Sequence, residues 1–194
     1  PAEIDLFKLN MIRVSKSIGY IEGAGDVIPD LLRQIGYEVS LLDKDDVTVD
    51  NLMQFDAVIL GIRAFNTVDW LAYKNQELFD YSFKGGTVIV QYNTNRNLVT
   101  QEIAPYPLLL SRDRVSVETA PVMILEPKHR SMNFPNKITM RDFDGWVQER
   151  GLYFSQEWDD QYEAILSCND EGEEPLDGSL LIAKHGKGYF VYTS

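Results

Sequence analysis

The chain has 194 residues, of which 44% are hydrophobic and 25% charged, a composition typical of a globular domain with a substantial core. The net charge of −12 argues against a nucleic-acid partner, because neutralising phosphates requires clustered Lys and Arg. One Cys excludes an internal disulfide and a paired-cysteine metal site, and no apolar run approaches the roughly 18 residues of a membrane span.

The first half of the chain predicts alternating strands and helices. Short apolar runs predict strands at 17–22, 37–42, 57–62 and 87–91. Helices are predicted at 27–35, at 49–55, and from Asp69 to a stop at Gly85-Gly86, with Asp26 capping the first and Gly36 ending it. Four strands joined by three helices predict an α/β fold with a doubly wound, mostly parallel, flavodoxin-like sheet and right-handed crossovers.

The second half predicts an antiparallel β extension of the same sheet. Residues 115–125 are β-rich and broken by Pro121, residues 161–167 form a strand, and 170–178 is an acidic, solvated loop. Residues 179–183 and 189–193 predict a hairpin across a glycine-containing turn. We therefore expect one domain over 1–194, with a leading segment 1–16, a βαβ core 17–110 and a β-rich extension 111–194.

The sequence of Phe83–Arg96 predicts the end of a helix, then a buried strand, then a turn of polar residues. In an open α/β sheet, ligands and nucleophiles sit where such a strand ends, and hydrolases place a Ser or Cys on that turn. Here the turn carries Tyr92, Asn93, Thr94 and Asn95. The nucleophile that the layout leads us to expect is missing.

The order of elements, the Gly85-Gly86 strand and the ending Gly186–Thr193 resemble the class I glutamine amidotransferase-like fold in its trehalose-utilisation (ThuA-like) branch. Several strings are similar to the C-terminal region of large bacterial PIG-L (LmbE-like) deacetylases: Gly23–Asp26, Gly61–Asn66, Gln91–Thr94, Leu110–Arg114 and Gly145–Gly151. The resemblance implies a domain that accompanies a zinc-dependent sugar N-deacetylase on one polypeptide. Because the His-Pro-Asp-Asp zinc motif of those deacetylases does not occur in this sequence, the metal chemistry would lie elsewhere in the parent protein.

The chain begins without Met and stops directly after a strand-like run. We therefore expect a fragment of a longer bacterial protein, cytoplasmic or exported according to its missing N-terminal part. The partners this implies are the deacetylase domain of that polypeptide and a sugar or sugar-derived small molecule, with no nucleic acid and no membrane span.

The residues that an amidotransferase needs are not in the expected places. Cys168 lies far in sequence from the turn after the fourth strand, and a buried, inert role is the simpler interpretation of a lone Cys. His185 is expected to be solvated in its hairpin turn, and His129 is followed by Arg130 where ThuA-like proteins tend to show Pro. We therefore predict no metal site and no cofactor.

Three loops should converge at the carboxyl ends of the strands, and each has a functional and a structural interpretation. The loop at Glu22 and Gly25 could receive an anion or simply form a tight turn; Arg63 could orient a ligand or pair with Glu22 or Asp26. Asn93 could bond sugar hydroxyls, whereas Asn95 is better explained by the turn. The candidate ligand-binding residues are Glu22, Gly25, Arg63, Asn66, Tyr92, Asn93, Arg96, Trp146 and Glu149.

Trp146 is included because a large ring in a polar loop suits stacking on a sugar, although packing explains most aromatics. Two functional classes stay open. The first is a non-catalytic accessory or carbohydrate-binding module. The second is a ThuA-like enzyme of unknown reaction acting on a sugar-related substrate through Glu22, Arg63 or Glu149.

Overall fold

The fold is that of a computed structural model, which describes residues 11–14, 16–25, 27–146 and 150–194. The strands are β1 Ser17–Ile21, β2 Glu38–Leu41, β3 Ala57–Leu60, β4 Thr87–Val90, β5 Leu108–Leu110, β6 Arg114–Val115, β7 Val122–Ile124, β8 Gly151–Leu152, β9 Ser155–Trp158, β10 Tyr162–Cys168, β11 Leu176–His185 and β12 Gly188–Thr193. The helices are α1 Ile28–Gln34, α2 Val49–Leu52, α3 Ala64–Thr67 and α4 Leu71–Lys84, with short 3-10 turns at Arg130–Met132 and Met140–Phe143.

Eight strands form the central sheet, in the order β2-β1-β3-β4-β12-β11-β10-β7. The pairs β2-β1, β1-β3, β3-β4 and β4-β12 are parallel, while β12-β11, β11-β10 and β10-β7 are antiparallel. The predicted α/β class, with a mostly parallel flavodoxin-like sheet and an antiparallel extension, is confirmed. Two ribbons, β5-β9 and β6-β8, pair outside this sheet.

The last strand has a place that the sequence did not indicate. The hairpin of β11 and β12 forms as predicted, but β12 also pairs in parallel with β4, so that Tyr192 lies beside Val90. The final strand is therefore the fifth parallel strand of the sheet, and the antiparallel strands begin only beyond it.

Helix α4 packs one face of the sheet, and Gly85, with φ of 130°, ends it as expected. A Cβ on Gly86 would lie 2.1 Å from the ring of Tyr81, so the close approach of helix and strand requires glycine there. The expected cap at Asp69 is not seen: Trp70 precedes the first helical residue and makes no side-chain cap. A side-chain cap is less needed here because α3 ends just before α4 begins, and the Leu71 N–H already donates to Val68 O.

Helix α1 covers the other face, but with a narrower stripe than the sequence predicts. Ile28 and Leu32 pack on Ile18, Tyr20 and Ile59. The other three predicted core positions are 36% to 65% exposed: Val27, Leu31 and Ile35. A helix of seven residues presents only one stripe to the sheet, and these positions fall outside it. In the described part of the chain, no helix has the length and apolarity to cross a membrane.

Candidate functional site

The loops after β1, β3 and β4 meet at the carboxyl edge of the parallel strands, as the fold class requires. The Ala24 N–H donates to Ile62 O at 2.8 Å, and the Arg63 N–H donates to Tyr92 O at 2.8 Å. A Cβ on Gly23 would lie 2.1 Å from Ile62 O, so the first loop approaches the second more closely than any side chain allows.

Asn93 holds the turn after β4 from inside. Its side chain is fully buried; Oδ1 accepts from the Phe65 N–H at 2.8 Å, and Nδ2 donates to Gln91 O at 2.9 Å. Its backbone N–H donates to the Tyr192 hydroxyl at 3.2 Å. The side chain proposed to bond a sugar is thus already bonded to backbone, and it has no exposed surface.

Asn66 joins the same two loops from the other side. Its Oδ1 accepts from the Thr94 N–H at 2.9 Å, and its Nδ2 donates to Thr94 O at 3.2 Å and to Arg96 O at 2.9 Å. Two side-chain amides therefore fix residues 93–96 against the start of α3. This network fixes where the side chain of Arg96 leaves the backbone.

Arg63 is exposed and adopts the left-handed conformation, with φ of 57°. A residue with a Cβ pays about 1 kcal/mol or more for that conformation, so the geometry of this strand end is imposed by its surroundings. Among the described residues, Arg63 makes no ion pair with Glu22. Asp26, the other partner considered from the sequence, lies outside the described residues.

The remaining candidates fall into two places. Glu22 and Gly25 are exposed on the first loop, which Ala24 bonds to Ile62 of the second loop, and Tyr92 is half-buried on the third and accepts from the Arg63 N–H. Trp146, 46% exposed, contacts the ring of Phe143 at 5.5 Å and the guanidinium of Arg150 at 5.6 Å. Glu149 lies outside the described residues. Whether a ligand touches any of these residues stays a prediction.

An open cavity of about 340 Å³ lies beside the turn, lined by Arg96, Arg112, Arg114, Leu152 and Tyr153. Arg112 lies between β5 and β6. Arg114 is the first residue of β6 and pairs with Leu152 in the β6-β8 ribbon. The neighbouring Gly151 would bring a Cβ within 3.5 Å of the Ser194 carbonyl carbon, just past the end of β12. The cavity is therefore at the carboxyl edge, and we name it the arginine cavity.

Of the five residues lining the arginine cavity, the sequence had singled out only Arg96. Arg112 and Arg114 occur in the Leu110–Arg114 string that carried the family resemblance, and two Arg at alternate positions after an apolar strand was the signal available. Tyr153 was not among the candidate residues; its φ of 54° again places a side chain in a costly backbone conformation.

The reactive side chains lie elsewhere. Cys168 is fully buried, and its desolvation raises the pKa of the thiol. His129 is hydrogen-bonded to Ser131 and His185 to Ser82, and neither bond reaches Cys168. His185 was expected to be solvated but is half-buried against the rings of Phe83 and Tyr106, because the hairpin turn packs on α4. Among the described residues, no group of three His, Cys, Asp or Glu could hold a metal ion.

Comparison with protein-family models and with curated protein sequences finds no match. Among solved structures, a GMP synthase-like protein from Thermoplasma acidophilum is similar, with a TM-score of 0.56 and 12% identity over 94% of this chain and 84% of that one. A ThuA-like protein from Bacteroides uniformis has a TM-score of 0.53 and 12% identity over 96% and 84%. A cold-adapted β-galactosidase from Rahnella has a TM-score of 0.51 and 13% identity, and the match covers 93% of this chain but only 29% of that one.

Identities this low carry information about the fold alone. The central sheet, its strand order and these likenesses agree on one architecture. The chain has the glutamine amidotransferase-like fold, which it shares with ThuA-like and GMP synthase-like structures.

Proposed function

We propose that this is a non-catalytic domain of the glutamine amidotransferase-like fold that binds a sugar or sugar-derived small molecule at the carboxyl edge of its sheet. The observation that carries the proposal is the state of the turn after β4. Where hydrolases of this layout expose a nucleophile, the buried amide of Asn93 closes the turn against α3 and Tyr192.

The edge around that turn suits binding better than bond cleavage. Arg63 and Arg96 are exposed there on loops whose backbone is fixed by backbone and amide hydrogen bonds, so ligand binding does not have to order the loops as well as the two side chains. The buried Cys168, with its raised thiol pKa, has the properties of a core residue rather than of an attacking thiolate.

We further propose that the domain accompanies a PIG-L/LmbE-like sugar N-deacetylase on a longer polypeptide. The support is the set of sequence strings that resemble the C-terminal region of such deacetylases. The fold is also found as 29% of a longer chain in a β-galactosidase, so it does occur as one part of a carbohydrate-active enzyme.

The second candidate, an enzyme of the ThuA-like kind acting on a sugar-related substrate, is favoured by one observation. Arg63 holds a left-handed backbone conformation at the end of a central strand, and such conformations cluster at active sites. This candidate requires turnover by the isolated domain, whereas the binding domain requires only saturable association.

The test is a panel of sugars, amino sugars, sugar acids and sugar phosphates, screened for binding to the purified domain by NMR or calorimetry and for turnover by mass spectrometry. We expect binding without turnover, and a loss of about tenfold to a hundredfold in affinity on replacing Arg63 with Ala, the loss of one charge-assisted hydrogen bond. Arg141→Ala is the matched control, because Arg141 is an exposed arginine with no hydrogen bond to the loops after β1, β3 and β4 and does not line the arginine cavity.

Three results would contradict the proposal. Turnover of a panel compound by the wild-type domain, lost in Arg63→Ala, would establish the enzyme instead. Binding that survives Arg63→Ala and Trp146→Ala would place the site elsewhere. A complete absence of sugar binding at millimolar concentration would remove the binding function.

A further inference from the structure

The arginine cavity gathers positive charge in a chain whose net charge is −12. Arg96, Arg112 and Arg114 are all exposed, and none of the three guanidinium groups has an ion pair or hydrogen bond to another described residue. The only ion pair among the described residues joins Arg33 to Asp30, at 3.0 Å. Three like charges that share one cavity repel one another, and an anion bound among them would relieve that repulsion.

Acidic groups are near but do not enter the cavity. Arg112 and Arg114 also line a neighbouring cavity of about 480 Å³, whose acidic lining residues are Asp113, Asp170, Glu173 and Glu174. Asp170 is already bonded, since its carboxylate accepts from the backbone N–H groups of Ser116 and Val117 and from the Ser116 hydroxyl. These hydrogen bonds lower the pKa of Asp170, so its carboxylate stays ionised and is directed at the two residues that follow β6.

We propose that the arginine cavity binds a phosphate group, and that the ligand of this domain is therefore a phosphorylated sugar. The inference rests on the proposed function for the sugar part and on the three arginines for the phosphate. A phosphate monoester carries close to two negative charges at neutral pH and three acceptor oxygens, and the guanidinium fork matches such oxygens in pairs. A carboxylate carries only one negative charge and two acceptor oxygens, so it would compensate less of the positive charge of the three arginines.

The rest of the cavity suits the attached sugar. Its volume of about 340 Å³ is within the range of small-molecule sites. Tyr153 and Leu152 supply an apolar wall beside the guanidinium groups, which is the surface that the carbon face of a sugar ring packs against.

The experiment titrates the whole chain with four probes: inorganic phosphate, glucose 6-phosphate, glucuronate and glucose. Binding is followed by calorimetry and by NMR at two salt concentrations. We expect glucose 6-phosphate to bind more tightly than inorganic phosphate and glucuronate, and its affinity to fall with salt. Arg112→Gln and Arg114→Gln should each weaken it by about tenfold to a hundredfold, whereas Arg141→Gln should leave it unchanged.

Arg112→Lys is the second variant, because it keeps the charge and removes the fork; we expect it to weaken phosphate binding by less than Arg112→Gln. It also serves if the Gln variant does not fold. Phosphate binding that is equal in wild type and both Gln variants, or none at millimolar phosphate, would overturn the inference.

The two proposals fail separately. Glucose or glucuronate binding without phosphate binding would refute the phosphate inference and leave the sugar-binding function standing. Inorganic phosphate bound at the arginines with no gain from the sugar would support the anion site and refute sugar binding. No binding of any probe would refute both.

Discussion

Replacing Asn93 with Ala tests whether one buried amide holds the turn after β4. The substitution removes the acceptor of the Phe65 N–H, a buried bond of 2.8 Å, and the donor to Gln91 O, at 2.9 Å. A buried N–H left without a partner costs about 1–3 kcal/mol, and the second bond contributes about 0.5–1.5 kcal/mol. We therefore expect the free energy of unfolding to fall by roughly 2–4 kcal/mol.

Asn95→Ala is the matched control two residues along the same turn. The Asn95 Oδ1 is buried without a hydrogen-bond partner, so its removal takes away no satisfied acceptor. We expect a loss of less than about 1 kcal/mol for this variant. Urea unfolding followed by tryptophan fluorescence measures both changes, since a lower midpoint with an unchanged slope reports stability alone.

Asn93→Asp separates the two bonds. A carboxylate keeps the acceptor for the Phe65 N–H but loses the donor to Gln91 O and buries a charge, so we expect it to be destabilising at neutral pH and less so in mild acid. If Asn93→Ala lowers the free energy of unfolding by less than about 1 kcal/mol, or by no more than Asn95→Ala does, the amide does not hold the turn. The argument that the turn after β4 is closed from inside then fails.

Two further predictions follow from the buried titratable groups. Because desolvation raises the pKa of the Cys168 thiol, a thiol reagent should label the native protein far more slowly than the urea-unfolded protein at neutral pH, and rapid stoichiometric labelling of the folded chain would contradict this. Burial lowers the pKa of His185 from its ordinary 6.5, so below about pH 6.5 the unfolded chain binds more protons than the folded one. Stability should therefore fall as the pH drops from 6.5 toward the lowered value, and His185→Gln should flatten this part of the pH profile; an unchanged slope would show that other groups cause it.

The strands and helices of the parallel half of the fold could be predicted because each is marked by a local sequence pattern. Apolar runs such as Ala57–Leu60 are strands covered on both faces, and Gly85 ends α4 through a positive φ that glycine accepts freely. The position of β12 was not readable, because a hairpin fixes only its own register. Tyr192 pairs with Val90 only because the free edge of β4, about a hundred positions earlier in the chain, is available to β12.

The meeting of the three loops was predictable from the sequence, whereas the contacts of their side chains were not. That the loops after β1, β3 and β4 meet follows from topology, and the structure joins them through backbone hydrogen bonds. Whether an amide such as Asn93 faces a ligand or the backbone depends on distances of an ångström, which a sequence does not contain. The convergence of Arg112 and Arg114 with Arg96 likewise depends on the β6-β8 ribbon folding back over the sheet edge.

The same pair of side-chain amides, Asn93 and Asn66, holds the turn after β4 and positions Arg96 at the arginine cavity. The amide of Asn93 is buried in the turn where hydrolases of this layout carry a nucleophile, and the amide of Asn66 donates to the carbonyl of Arg96 and so fixes the backbone from which the Arg96 side chain reaches the arginine cavity. We therefore expect Cys at position 93 not to act as a nucleophile, because the side chain at this position has no exposed surface, and we expect the loss of the amide to loosen the loop that carries Arg96. If the domain binds a ligand as proposed, the turn after β4 contributes by holding its neighbours in place, and the charge available to that ligand lies on Arg96, Arg112 and Arg114.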